Sequence, residues 1–235
     1  MKLHRFYVGA DVELTHKTWL HDERLLHQWR RVLRFEPGRE VVLFDGQGTD
    51  RLYKITKLEK DEAGLELVTE LEPKRPKREL YLLWSLLKKD KNDWVLQKCT
   101  ELGVSHFVPL LADRSEKTGF DVERAERIVI EAAEQCGRSD VPAIREPIGV
   151  EAAVEQLGEK VTLYICEQGT EDHSTAGTES IGLLIGPEGG WSDDEKQLFA
   201  DGRIQHIALH DFTLRAETAC VTAVTMVMRQ EVKGA

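Results

Sequence analysis

The sequence predicts an α/β domain built on a largely parallel sheet, preceded by a small β module. Three features carry that reading. From "LYLLWSLL" (80–87) onward, apolar runs alternate with stretches of helical period, as expected for strands joined by helical crossovers. Before that, short strand-like runs follow one another with turn signals between them. At the junction, "EPKRPKRE" (72–79) sets two prolines in a charged run, the composition of a domain boundary, giving a first domain at 1–72 and a second at 73–235.

In the first domain, strands are expected in "HRFYV" (4–8), "REVVLFDG" (39–46), "RLYKITKLEK" (51–60) and "GLELVTEL" (64–71), punctuated at Pro37-Gly38, Asp45-Gly46 and Ala63-Gly64. One helix, "DERLLHQWRRVL" (22–33), fits between the first two. Its Leu25, Leu26, Trp29 and Leu33 form an apolar stripe that leaves Arg30, Arg31 and Arg34 mostly off the buried side. In the second domain, strands are expected at 80–87, 104–110, 161–166, 181–186 and 204–209. Helices from about Asn92 to Leu102 and from about Val122 to Cys136 should end at Gly103 and Gly137, which suit the left-handed position past a helix end. A further helix starts after Ser192, whose hydroxyl and Glu195 match an S-x-x-E capping box. The last begins near Ala216, with Ala216, Ala219, Cys220, Ala223 and Val227 along one side.

Composition narrows the function classes. With 235 residues, 41% of them hydrophobic and 31% charged, the chain can bury a substantial core. No apolar stretch reaches the roughly 18 to 20 residues of a membrane helix, and the N-terminus lacks a signal-like apolar core, so a cytoplasmic protein without a membrane partner is expected. Cys99, Cys136, Cys166 and Cys220 show no C-x-x-C pairing and read as reduced, buried thiols. His206 and His210 lie in a strand-like stretch with no completing ligands, and no metal site is expected. The formal net charge of −10 argues against a nucleic-acid partner, but Arg30, Arg31, Arg34 and Arg39, then Lys74, Arg75, Lys77 and Arg78, then Lys88, Lys89 and Lys91 form local basic patches. Those patches read either as solvated faces or as phosphate contacts.

The stretch "LLIGPEGGWSDDE" (183–195) joins the end of a buried strand to a helix start, where open α/β sheets bind ligands. Neither the G-x-x-x-x-G-K-[ST] nor the G-x-G-x-x-G phosphate motif is present, and a carboxylate at Glu188 would repel phosphates. The loop is therefore either a plain strand-turn-helix joint or a site for a ligand with ring nitrogens, ribose hydroxyls or a positive charge. S-adenosylmethionine offers all three. Arg215 and Glu217 stand at the entrance of the last helix, where an arginine opposes the helix dipole, so they form either a surface ion pair or part of a site.

"IGPEGGWSDDE" followed by "LRAETA" resembles the ribosomal small-subunit RNA methyltransferase E family of the SPOUT superfamily. "KKDKNDWVLQKCTELGVSHFVPLLADRS", "EAAEQCGRSDVP", "HRFYV" and "GREVVLFDGQG" are similar to further segments of that family, so the likeness spans essentially the whole chain. One stretch differs: "HDFT" (210–213) stands where the family usually carries a glycine-containing, arginine-bearing loop. The resemblance implies a C-terminal SPOUT domain with a deep trefoil knot, an N-terminal RNA-binding β-barrel of PUA or OB-like type, and a homodimer. It implies S-adenosylmethionine-dependent methylation of N3 of a uridine in small-subunit (16S) ribosomal RNA, on free RNA or the 30S particle. By position, it places the cofactor against Leu163, Tyr164 and Glu167, the loop Ile185, Gly186, Pro187, Glu188, Gly189 and Gly190, then Ala208, Leu209 and His210, and finally Leu214, Arg215, Ala216, Thr218 and Ala219.

A proton-bearing acceptor nitrogen must become anionic before it can attack a methyl sulfonium, so a guanidinium and a proton acceptor are the expected equipment. Arg215 and Glu217 are the candidates. Arg114 and Arg138, with Gln135 beside them, would hold RNA phosphate or the target base, or else form structural ion pairs; Asn92 is a further candidate, equally explained as a helix cap. Two rival readings remain: a knotted methyltransferase acting on transfer RNA or a ribose 2′-hydroxyl, and a non-catalytic RNA-binding ribosome assembly factor.

Overall fold

The computed structural model describes residues 3–115, 119–169, 175, 178–200, 202 and 204–230. The chain divides into two compact units, one formed by Met1–Arg75 with Ala133–Val141, the other by Pro76–Ala132 with Pro142–Ala235.

The first unit is a five-stranded sheet. Its elements are β1 (His4–Tyr7), β2 (Lys17–Leu20), α1 (Glu23–His27), β3 (Glu40–Phe44), β4 (Asp50–Leu58) and β5 (Ala63–Leu71), and the strands lie in the order β1-β3-β4-β5-β2. β1 runs parallel to β3 and the other pairs are antiparallel. Phe6, Trp29, Val41, Leu43, Tyr53 and Ile55 fill its core. Strand β2 was not expected from the sequence, since its four residues "KTWL" alternate exposed and buried over too short a span to signal a strand. The expected helix over 22–33 breaks in two. Asp22 caps α1 by accepting from the backbone N–H groups of Arg24 and Leu25, but Gln28–Val32 then forms a π-helical turn. The extra residue in that turn shifts the helical phase: Trp29 stays buried, whereas Val32 is 66% exposed. Arg34, just beyond, takes a left-handed conformation at φ 52°.

Residues 133–141 complete this unit through hydrogen bonds to distant segments. Tyr7 N donates to Glu134 Oε1 at 2.9 Å, Arg5 to the Arg138 carbonyl at 3.1 Å, and Lys74 N to Ser139 Oγ at 2.7 Å.

The second unit contains β6 (Glu79–Ser85), α2 (Lys89–Leu102), β7 (His106–Leu111), α3 (Val122–Cys136, whose last residues belong to the first unit), β8 (Ala143–Ile144), β9 (Ile148–Gly149), α4 (Val150–Leu157), β10 (Thr162–Glu167), β11 (Ser180–Ile185), α5 (Asp193–Phe199), β12 (Gln205–Ala208) and α6 (Ala216–Arg229). Six strands lie in the order β12-β10-β11-β6-β7-β8, with β9 also paired to β7, and every pairing is parallel. The α/β class with a parallel sheet is thus as the alternation indicated. Eight residues in a row, Leu80–Leu87, are buried, as a central strand covered on both faces requires. Gly103 and Gly137 adopt positive φ, 105° and 86°, at the ends of α2 and α3. Ser192 and Glu195 form the expected capping box. Of the four cysteines, Cys99, Cys166 and Cys220 are buried thiols, their pKa pushed up by burial; Cys136 is exposed at the end of α3, contrary to expectation.

Asn92 fixes where α2 begins. It is not the helix cap, a position held by Lys88. Instead its buried amide reaches back to the end of β6. Oδ1 accepts from Trp84 Nε1 at 3.0 Å and from Leu87 N at 3.1 Å, while Nδ2 donates to the Leu87 carbonyl at 2.8 Å. Asn92→Ala would leave three buried polar groups unpaired and should cost about 2–4 kcal/mol of stability, read as a lower urea midpoint; an unchanged midpoint would refute the assignment.

Candidate active site

The site lies at the carboxyl ends of β10, β11 and β12, where an α/β sheet leaves its crevice. β11 delivers Ile185 and then the turn Gly186-Pro187-Glu188-Gly189-Gly190, closed by a bond from Gly190 N to the Pro187 carbonyl at 2.9 Å. Gly190 needs its glycine because φ is 68°, a conformation side chains resist. At Gly186 the reason is space. An added Cβ would meet the buried Trp191 indole at 3.0 Å. Gly189 presses against Arg114, whose Cβ would stand 3.2 Å from one added there, and Arg114 donates to the carbonyls of Gly189 and Trp191 at 3.3 and 3.2 Å.

This loop and the start of α6 border one cavity of about 890 Å³. The expected residues Glu167, Ile185, Gly186, Pro187, Glu188, Gly189, Gly190, Leu209, His210, Leu214, Arg215, Ala216 and Ala219 all line it, and so does Arg114. Leu163, Tyr164, Ala208 and Thr218 do not. Leu163 and Tyr164 are buried within β10, and Thr218 is exposed on α6. Arg114 therefore anchors the loop's backbone at the cavity wall. Arg138, in the first unit, is buried and paired with Asp140 through bonds of 3.0 and 2.6 Å, while Gln135 is exposed near the end of α3.

The sequence reading missed Lys91 as a site residue. It lines the cavity from the first turn of α2, forms an ion pair with Glu188, and lies 3.3 Å from Glu217. The Lys91 ammonium holds the Glu188 carboxyl below the usual carboxylate range, with Lys88 and Arg215 adding to the effect. Glu217 does not itself line the cavity; it sits behind Lys91, with its side chain only 17% exposed. Because Glu188 lies 97 residues from Lys91, no local pattern could reveal the pair.

The loop 210–213 closes one side of the cavity. Gln168 staples it twice: Nε2 donates to the Asp211 carbonyl at 2.6 Å, and Oε1 accepts from Thr213 Oγ1 at 2.5 Å. Phe212 N donates to His210 Nδ1 at 3.1 Å, and the Phe212 ring is left 73% exposed on the cavity lining.

Comparison with known proteins agrees along the whole chain. Residues 73–228 match the model of the RNA methyltransferase domain, and residues 30–68 match that of the RNA methyltransferase PUA domain. The chain is 29% identical over 234 residues to the ribosomal RNA small subunit methyltransferase E of Rickettsia conorii, covering 97% of this chain and 96% of the relative. It is 31% identical over 204 residues to that of Aquifex aeolicus, covering 84% and 89%. A crystal structure of the ribosomal RNA small subunit methyltransferase E from Neisseria gonorrhoeae, bound to S-adenosyl methionine, superposes with a TM-score of 0.87 at 29% identity, covering 96% of each chain. With a methyltransferase domain matched over most of its length and relatives of one kind aligned nearly end to end, this chain belongs to the ribosomal RNA small subunit methyltransferase E family.

Proposed function

We propose that this protein is an S-adenosylmethionine-dependent methyltransferase that methylates N3 of a uridine in small-subunit (16S) ribosomal RNA. The observation that carries the reading is the shared cavity: a glycine loop after β11 and the entrance to α6 meet around one open volume, in a chain that aligns over 96% of its length with a family member solved with S-adenosyl methionine. The residues fit that group. Bare backbone at Gly186, Gly189 and Gly190 allows close approach, and a lining that carries the carboxylates of Glu167 and Glu188 beside Lys91, Arg114, Lys196 and Arg215 suits a ligand with both positive and negative groups.

When bound, S-adenosylmethionine supplies an electrophilic methyl group on a sulfonium. The chain's own residues do the rest. The loop 185–190, Leu209, Leu214 and Ala219 hold and orient the cofactor, and Arg215, exposed at the head of α6 and lining the cavity, steadies the negative charge that develops on the uracil ring. Glu217, two positions further on and behind Lys91, is the proposed proton acceptor. The comparison with the PUA model supports the first unit as an RNA-binding barrel. There Arg34 lines a groove of about 550 Å³ with His4, Phe35 and Arg39, and Arg30 and Arg31 stand on the adjoining π turn. A knotted C-terminal chain path and a homodimer complete the reading, with the cytoplasm, where ribosomal RNA is found, as the place of action. No described helix is long and apolar enough to cross a membrane.

Arg215→Ala should reduce methyl incorporation into small-subunit particles by at least about a hundredfold while the thermal transition stays put; unchanged turnover would remove it from the catalytic set. Gly189→Val should weaken cofactor binding by about tenfold or more in calorimetry, because the branched side chain collides with Arg114 and displaces the loop; wild-type affinity would count against the pocket. Charge reversal at Arg30, Arg31 and Arg34 together should weaken RNA binding and flatten its dependence on salt. An unaltered slope would return these residues to a solvated surface.

A further inference from the structure

Three segments of the second unit converge on one ammonium group. Lys91 stands in the first turn of α2, Glu188 in the glycine loop and Glu217 in the first turn of α6. Lys91 pairs with Glu188 and lies 3.3 Å from Glu217, and the side chains of Lys91 and Glu217 are only 24% and 17% exposed. The neighbouring Asn92, bonded to both Trp84 and Leu87, fixes the backbone that carries Lys91.

We propose that Lys91 tunes the charge of the methyl-transfer cavity, offsetting Glu188 on its lining and Glu217 behind it, so that the site does not over-hold a cationic methyl donor relative to its neutral demethylated product. The inference rests on the reading that the cavity takes S-adenosylmethionine. In such a transfer the lone pair of the acceptor nitrogen forms the new N–C bond while the C–S electron pair returns to sulfur. The positive charge of the donor and the negative charge of the acceptor disappear together. Without Lys91 the carboxylates of Glu188 and Glu217, tempered only by the more distant Lys88 and Arg215, would stabilise the reactant cation more than the transition state, where that charge has partly gone, and would repel an anionic acceptor. The Lys91 ammonium opposes both effects. It is a positioning residue, acting through the carboxylates it holds. An ordinary structural ion pair would add a little stability and leave charge selectivity untouched.

Calorimetry of the full chain with S-adenosylmethionine and with S-adenosylhomocysteine, at low ionic strength, tests this directly, because the two ligands differ only by the methyl group and its charge. The quantity read is the ratio of the two affinities. Lys91→Met should raise the preference for the cation by about three- to tenfold, and Glu188→Gln should lower it. Lys91→Arg should keep the wild-type ratio, and the double variant Lys91→Met with Glu188→Gln should return to within about twofold of it, since charge and not shape is at issue. Added salt should shrink these differences. A Lys91→Met protein that binds both ligands with the wild-type ratio would overturn the inference while leaving the cofactor assignment intact. Movement of the ratio by Glu188→Gln in the direction opposite to that stated would overturn it too. Binding of neither ligand by the wild type would overturn the cofactor reading and this inference with it.

Discussion

Burial of the parallel sheet on both faces is the constraint from which the rest of the second unit follows. Leu80, Leu82, Leu83, Trp84, Ile181, Leu183 and Leu184 are almost wholly removed from water, so the middle of the sheet is filled by apolar side chains. Polar chemistry is displaced to the strand ends, and at the carboxyl ends of β10, β11 and β12 it collects around one cavity. Asn92, on α2, shows what a buried polar side chain requires. It is buried, and its amide is bonded to the end of β6 on both its donor and acceptor sides.

What the sequence made legible was local. Gly103 and Gly137 mark helix ends because positive φ is needed within a residue of the last turn, and Ser192 with Glu195 marks a helix start because the two partners are three residues apart. The glycine loop announced itself in the same way, as did the head of α6. Features made by distant partners stayed hidden. Residues 133–141 join the first unit by bonds to Tyr7, Arg5 and Lys74, and nothing in "QCGRSDVP" signals those partners. The π turn after α1 was hidden for another reason, since one added residue alters the backbone bonding without altering the apolar spacing that a sequence displays.

Site residues divide along the same line. Assignments made on the loop 185–190 fall on the cavity, because a turn has few ways to place so few residues. Those carried along β10 divide by burial: Glu167, at the strand's end, reaches the cavity, whereas Leu163 and Tyr164 are enclosed by the core. Arginines were the hardest to place. Arg114 holds backbone carbonyls, Arg138 is enclosed with Asp140, and Arg215 lines the cavity, yet all three are one residue type in polar stretches.

The Gln168 staple has a bearing on the loop 210–213. A carboxamide can give a hydrogen to one neighbour and receive one from another while carrying no charge, so the Asp211 and Thr213 tethers persist across acid and salt conditions that would loosen an ion pair. The aromatic ring between them is thereby displayed to solvent on the cavity rim beside two fastenings that carry no charge.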